Sequence, residues 1–156
     1  MVGTVSFAET TYAPLPMKYE AGTQNFASAA TLKPALELVN LLNDNKLEQY
    51  NSEIKDYLLD SLMNDQRIRL FGVPRGTSDE KIPLFSFVVE GVHHEDLALI
   101  LDKMGIAVRS GQMCAEPLMD RFGVTGMLRA SLAPYNTMEE AVYFIKCLNR
   151  AIDMLI

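Results

Sequence analysis

Apolar positions along this chain recur with two different periods, and the change of period separates helices from strands. Leu32, Leu36 and Val39 form one helical stripe within Ala27–Leu42, widened by Ala35 and Leu42. Pro34 conflicts with a single uninterrupted helix. Either the regular helix starts near it, or Phe26–Lys33 is a separate turn that kinks there. Asn43-Asp44-Asn45 closes this helix. Leu47–Met63 gives a clearer second one, with Leu47, Tyr50, Ile54, Tyr57, Leu58 and Leu62 opposite a polar side. Ile68–Val73 and Ile82–Val89 read as strands joined by a polar turn at Pro74–Asp79, and Pro83 puts the start of the second at an edge or outside the ladder. Leu97, Ile100, Leu101 and Met104 make a helix closed by Gly105.

The pattern then shortens. Ile106–Val108 predicts a short strand that delivers Arg109, and Ser110 and Gly111 allow a tight turn after it. Glu116-Pro117 reads as a helix first turn, where proline's missing donor costs nothing, and Pro117–Phe122 as a short helix ended by Gly123. Leu128–Leu132 alternates, placing Leu128, Ala130 and Leu132 on one face and Arg129 and Ser131 on the other. Thr137 and Glu140 form a capping-box pattern before a final helix with Val142, Ile145, Leu148, Ile152 and Leu155 as its buried stripe.

The first 25 residues differ in kind. Val2–Phe7 reads as a strand, but Tyr12–Pro16 is an extended segment held by two prolines. Tyr19–Asn25 is a polar turn whose exposed backbone donors suit an anion, although an ordinary turn explains the same residues. The expectation is therefore a lead or linker over residues 1–25 and one compact α+β domain over 26–156. That domain has a small antiparallel or mixed sheet with helices packed on one side.

Composition narrows the function classes. The 156 residues suffice for one ordinary domain, and 49% apolar content supplies a core. A net charge of −6 disfavours a general nucleic-acid or anionic-membrane surface. Two cysteines, Cys114 and Cys147, are too few for a disulfide scaffold. Without a signal peptide or a spanning apolar run, the simplest expectation is a cytoplasmic protein. His93-His94-Glu95-Asp96 invites a metal reading, but adjacent histidines do not share a helix face, and the two acids suit a helix N-terminus without any metal. No metal site is expected.

Cys114, Arg109 and Arg129 remain as candidate chemistry. A thiolate attacks electrophilic sulfur or carbon, and an arginine grips a carboxylate in bidentate fashion. That set suits a small amino-acid or carboxylate substrate. The plainer alternatives are a small buried thiol and two salt-bridged arginines.

These residues lie in blocks that resemble the C-terminal portion of the PLP-dependent cysteine desulfurases, the branch that also covers selenocysteine lyases, within the class V aminotransferases. The blocks are Met1–Ser6, Tyr19–Asn25, Gly105–Pro117 and Leu128–Thr137, followed by Glu139-Glu140 and the last helix. The resemblance implies an aminotransferase-like small domain. It implies a parent enzyme that converts L-cysteine to L-alanine while Cys114 takes the sulfur as a persulfide, for iron–sulfur cluster assembly or other sulfur transfer. By the same resemblance, Arg129 binds the substrate carboxylate and Arg109 lines that pocket. Gly22 and Thr23 reach the PLP phosphate of a neighbouring subunit in a homodimer. A sulfur-acceptor protein is the implied partner. Gln112 and Met113 stand where typical members carry two histidines, and Gln24 stands where proline often follows the threonine.

A full member also has a large domain carrying the Schiff-base lysine. Lys18, Lys33, Lys81 and Lys103 lie in the wrong contexts to replace it, so no tightly bound PLP and no activity are expected of this chain alone. The alternatives are a non-catalytic binding domain that kept the fold, or the small domain of a selenocysteine lyase.

Overall fold

The structure is a computed structural model and describes residues 1–42, 45–72 and 81–156. The turn expected at Pro74–Asp79, the end of the strand expected to reach Val73, and the helix end at Asn43-Asp44 lie outside the described residues. The chain divides into two compact units, Met1–Asn43 and Asp44–Ile156.

In the first unit, β1 (Val2–Val5) pairs antiparallel with β2 (Thr10–Tyr12). The hydroxyls of Thr4 and Thr11 join the two strands at 2.6 Å. Two helices follow, α1 (Phe26–Ala30) and α2 (Leu32–Leu42). They break at Thr31, which leaves Pro34 in the first turn of α2, where no intrahelical donor is lost. The predicted stripe is present on α2, but Leu32, Leu36 and Val39 are all exposed.

The second unit is built on a four-stranded antiparallel sheet. Its strands are β3 (Ile68–Phe71), β4 (Leu84–Val89), β5 (Arg109–Gly111) and β6 (Met127–Ser131), in the order β3-β4-β6-β5. Three long helices bury one face: α3 (Asn45–Asn64), α4 (His94–Lys103) and α6 (Met138–Asp153). Ile54, Leu58 and Leu62 of α3, Leu97 and Leu101 of α4, and Leu148 and Ile152 of α6 close over Phe85, Phe87 and Leu128. Burying one such aliphatic side chain is worth about 1.5–3 kcal/mol, so this interface dominates the stability of the unit. The short α5 (Glu116–Phe122) instead packs against the opposite sheet face, where Phe122 meets Phe71 at 4.7 Å between ring centroids.

Several elements match their sequence pattern, and others differ. The capping box forms: Glu140 N donates to Thr137 Oγ1 at 3.2 Å, and Thr137 N donates to Glu140 Oε2 at 3.0 Å. Val142, however, is exposed, because the buried stripe of α6 runs through Ala141, Phe144, Leu148 and Ile152. The edge strand is also displaced. Ile106–Val108 is not a strand, and Arg109–Gly111 is. Ile106 and Val108 pack against the core edge, while ladder pairing with β6 begins only at Arg109.

Candidate functional site

Alternation along β4 and β6 sends Phe85, Phe87 and Leu128 toward the helices and leaves Ser86 and Arg129 for the other face. Ser86 and Arg129 are register partners, and Arg129 is in turn the register partner of Arg109 on β5. The two arginines therefore stand side by side on the sheet face away from the long helices. Arg109 is exposed and Arg129 half-buried. The Arg129 Nε is buried with no hydrogen-bond partner among the described residues. Neither arginine has an ion pair among them. Like charges directly opposite on neighbouring strands are destabilising, and a buried donor without a partner loses its water for nothing in return. A planar anion lying against both guanidiniums removes both costs.

Past Gly111 the chain leaves β5 through Gln112–Ala115. Ala115 N donates to Gln112 O at 2.9 Å, and Gln112 Nε2 donates to Glu116 Oε1 at 3.2 Å, which fastens the loop to the start of α5. Met113 and Cys114 both adopt left-handed backbone conformations, with φ of 58° and 59°. For residues bearing a Cβ this costs about 1–2 kcal/mol each, so the loop is held against its local preference. Cys114 is exposed, whereas Cys147 is buried in α6. Of the two thiols, only Cys114 is open to a reagent from solvent.

The glycine-threonine turn belongs to the first unit. Gly22 is left-handed, with φ of 80°, and both Gly22 and Thr23 are exposed. Asn25 Oδ1 accepts from Ser28 N at 3.2 Å, so that amide caps α1.

The histidine pair serves structure. His93 Nδ1 accepts from Glu95 N at 3.3 Å and caps α4, and no group of acids, histidines and cysteines among the described residues could hold a metal ion. His94 is buried, with its Nδ1 2.8 Å from Ser110 Oγ and its ring stacked on His93 at 4.4 Å. Burial, followed by the nearby His93 charge, lowers the His94 pKa, and Glu95 opposes that shift. Sequence reasoning misses the His94–Ser110 contact. Its signal is Ser110 at the inward position of a strand, and a serine followed directly by glycine reads as a turn instead.

A cavity of about 340 Å³ opens where Gly105–Val108 separates from Ala130–Leu132. Arg109, Arg129 and Cys114 do not line it. The four lysines weighed in the sequence lie in separate segments. Lys18 lies over the Tyr12 and Tyr19 rings, Lys33 pairs with Glu37 at 3.9 Å, Lys81 Nζ donates to Leu84 O at 2.6 Å, and Lys103 ends α4. Among the described residues, the arginine pair therefore suits a carboxylate, and Cys114 is exposed to solvent beyond the same edge strand.

Residues 1–144 match the Aminotransferase class-V family. The chain is 40% identical over 155 residues to a probable cysteine desulfurase of Vibrio cholerae, covering 99% of this chain and 37% of that protein. It is 38% identical over 156 residues to the cysteine desulfurase CsdA of Escherichia coli, covering 100% of this chain and 37% of that protein. Among solved structures it resembles Escherichia coli CsdA in an S-sulfonic acid form, with a TM-score of 0.80, 37% identity and coverage of 100% of this chain and 38% of that one. It also resembles the apo cysteine desulfurase of Thermococcus onnurineus, with a TM-score of 0.79, 29% identity and coverage of 99% and 38%. The chain thus spans about 37% of the length of these curated relatives.

Proposed function

Because the chain belongs to the aminotransferase class-V family, we propose that it is the small C-terminal domain of a PLP-dependent cysteine desulfurase. In this reading residues 26–156 form the domain, and residues 1–25 lead from a large domain that binds the cofactor. The single observation that carries the reading is the Arg109–Arg129 register pair, with an Arg129 Nε that is buried and has no hydrogen-bond partner among the described residues.

Arg129 takes the substrate carboxylate in a bidentate grip, and Arg109 neutralises its remaining charge from the next strand. That fixes the substrate's sulfur-bearing arm relative to the loop that presents Cys114. The Cys114 thiolate attacks the substrate sulfur. An S–S bond forms, the substrate C–S bond breaks, and its electron pair returns to the substrate carbons, which leave as alanine after protonation. Pyridoxal phosphate, when bound by the large domain, supplies the electron sink for that cleavage. Gly22 and Thr23 present an exposed turn to the phosphate of a neighbouring subunit. The persulfide sulfur then passes to an acceptor protein, and the exposure of Cys114 leaves it open to such a partner. A cytoplasmic, homodimeric parent suits this chemistry. Neither the selenocysteine lyase nor the non-catalytic alternative is favoured, since the relatives carry the cysteine desulfurase name.

Reconstitution tests the reading. The chain is mixed with a separately expressed large domain, PLP and L-cysteine. Alanine is expected above the level of a Cys114→Ala control. Complex formation with no alanine above that control would favour the non-catalytic domain.

A further inference from the structure

β5 is a weak element in a demanding place. It is three residues long, it is an edge strand, and among the described residues it joins the sheet through β6 alone. The chain before it has left the ladder, and the chain after it enters the left-handed pair Met113-Cys114. Short edge strands fray readily. The arginine pairing and the cysteine loop nevertheless both depend on its register.

The inward face of β5 carries one side chain, Ser110, flanked by the outward positions of Arg109 and Gly111. Its hydroxyl meets the buried His94 ring at 2.8 Å. That ring is wedged against a second element. A Cβ built on Gly126 would lie 2.3 Å from His94 Nε2 and 2.8 Å from both Cδ2 and Cε1. Gly126 has no positive φ, so glycine is needed here for space and not for conformation. Gly126 precedes β6 directly, and Met127 is the register partner of Gly111. One imidazole at the start of α4 therefore touches both edges of the β5–β6 pair. His93 stacks on the ring at 4.4 Å and is itself fixed as the cap of α4.

We propose that His94 is a positioning residue for the cysteine loop: seated on Gly126 and bonded to Ser110, it holds β5 in the register that opposes Arg109 to Arg129 and launches Gln112–Ala115. Ser110 transmits the restraint, and Gly126 makes room for the ring. Its consequence for Cys114 chemistry rests on the desulfurase reading, whereas the restraint itself does not.

Amide hydrogen exchange on the 156-residue chain tests the restraint without any turnover. Ser110→Ala removes the contact, Ser110→Thr keeps the hydroxyl, and Gly126→Ala drives out the ring. In Ser110→Ala, the ladder amides that join Arg109–Gly111 to Met127–Arg129 are expected to exchange roughly tenfold faster, the effect of losing one hydrogen bond to a buried group. Amides of Leu70 and Phe87 should be unchanged, and Ser110→Thr should restore the wild-type pattern. Gly126→Ala should reproduce the local loosening if it folds; the serine pair decides the matter if it does not. Unaltered exchange at those ladder amides, uniform acceleration across the whole sheet, or failure of threonine to rescue would each overturn the proposal. A restraint present in a chain whose Cys114 never accepts sulfur would leave this inference standing and sink only the desulfurase reading.

Discussion

Arg109 and Arg129 oppose each other as direct register partners across β5 and β6, and the Arg129 Nε is buried without a hydrogen-bond partner among the described residues. Removing one charge should relieve the repulsion. Arg129→Met keeps much of the side-chain length, and it is expected to raise the unfolding free energy by about 0.5–1 kcal/mol in urea titration. A loss of stability would mean that the guanidinium supports the sheet and is not reserved for an anion. A gain in stability paired with loss of function is the usual pattern at a binding site.

The loop carrying Cys114 stores backbone strain in two adjacent left-handed residues. Met113→Gly should stabilise the chain by about 1 kcal/mol, since glycine adopts this conformation without a Cβ clash. Equilibrium denaturation measures it. No gain would place the preference of Met113 in side-chain packing and not in the backbone.

Leu128 lies between the arginine face and the core: it is fully buried, pairs with Phe87, and precedes Arg129 directly. Leu128→Ala should cost about 2–5 kcal/mol, read as a fall in the urea midpoint. A cost below about 1 kcal/mol would mean that the helical layer does not close on β6 as described.

Stability should fall in mild acid. The folded-state pKa of His94 lies below its ordinary value of 6.5, through burial first and then the nearby His93 charge, against the opposing charge of Glu95. The unfolded chain therefore binds more protons here than the folded one. The contribution is fully present above the unfolded value and is lost as pH falls through the folded one. Urea titrations stepped downward from neutral pH should show this loss, and His94→Gln should flatten the part due to this residue. An identical pH slope in the variant would contradict the assignment.

The helical layer is readable in the sequence because burial there follows a simple period. Ile54, Leu58 and Leu62, or Leu148 and Ile152, declare a face by their spacing alone. The outward direction of Arg129 is legible for the same reason, from the alternation in Leu128–Leu132. The edge strand is not. Arg109-Ser110-Gly111 has no apolar pattern, because its strand character comes from ladder bonds to β6, while the more strand-like Ile106–Val108 packs beside the core. Periodicity on α2 likewise predicts a stripe but not what covers it, and that stripe is exposed. The left-handed Met113-Cys114 pair leaves no residue signature, and neither does the need for glycine at 126, which exists only because His94 arrives from another element.

The central claim is that Cys114 accepts sulfur while Arg129 holds the carboxylate of the donor. Its most direct test is mass spectrometry of the chain after brief incubation with a PLP-loaded large domain and L-cysteine. One added sulfur atom is predicted on the peptide containing Cys114, none on the peptide containing Cys147, and none on either in Arg129→Ala. An unmodified Cys114, or sulfur loading that Arg129→Ala leaves unchanged, would contradict the account.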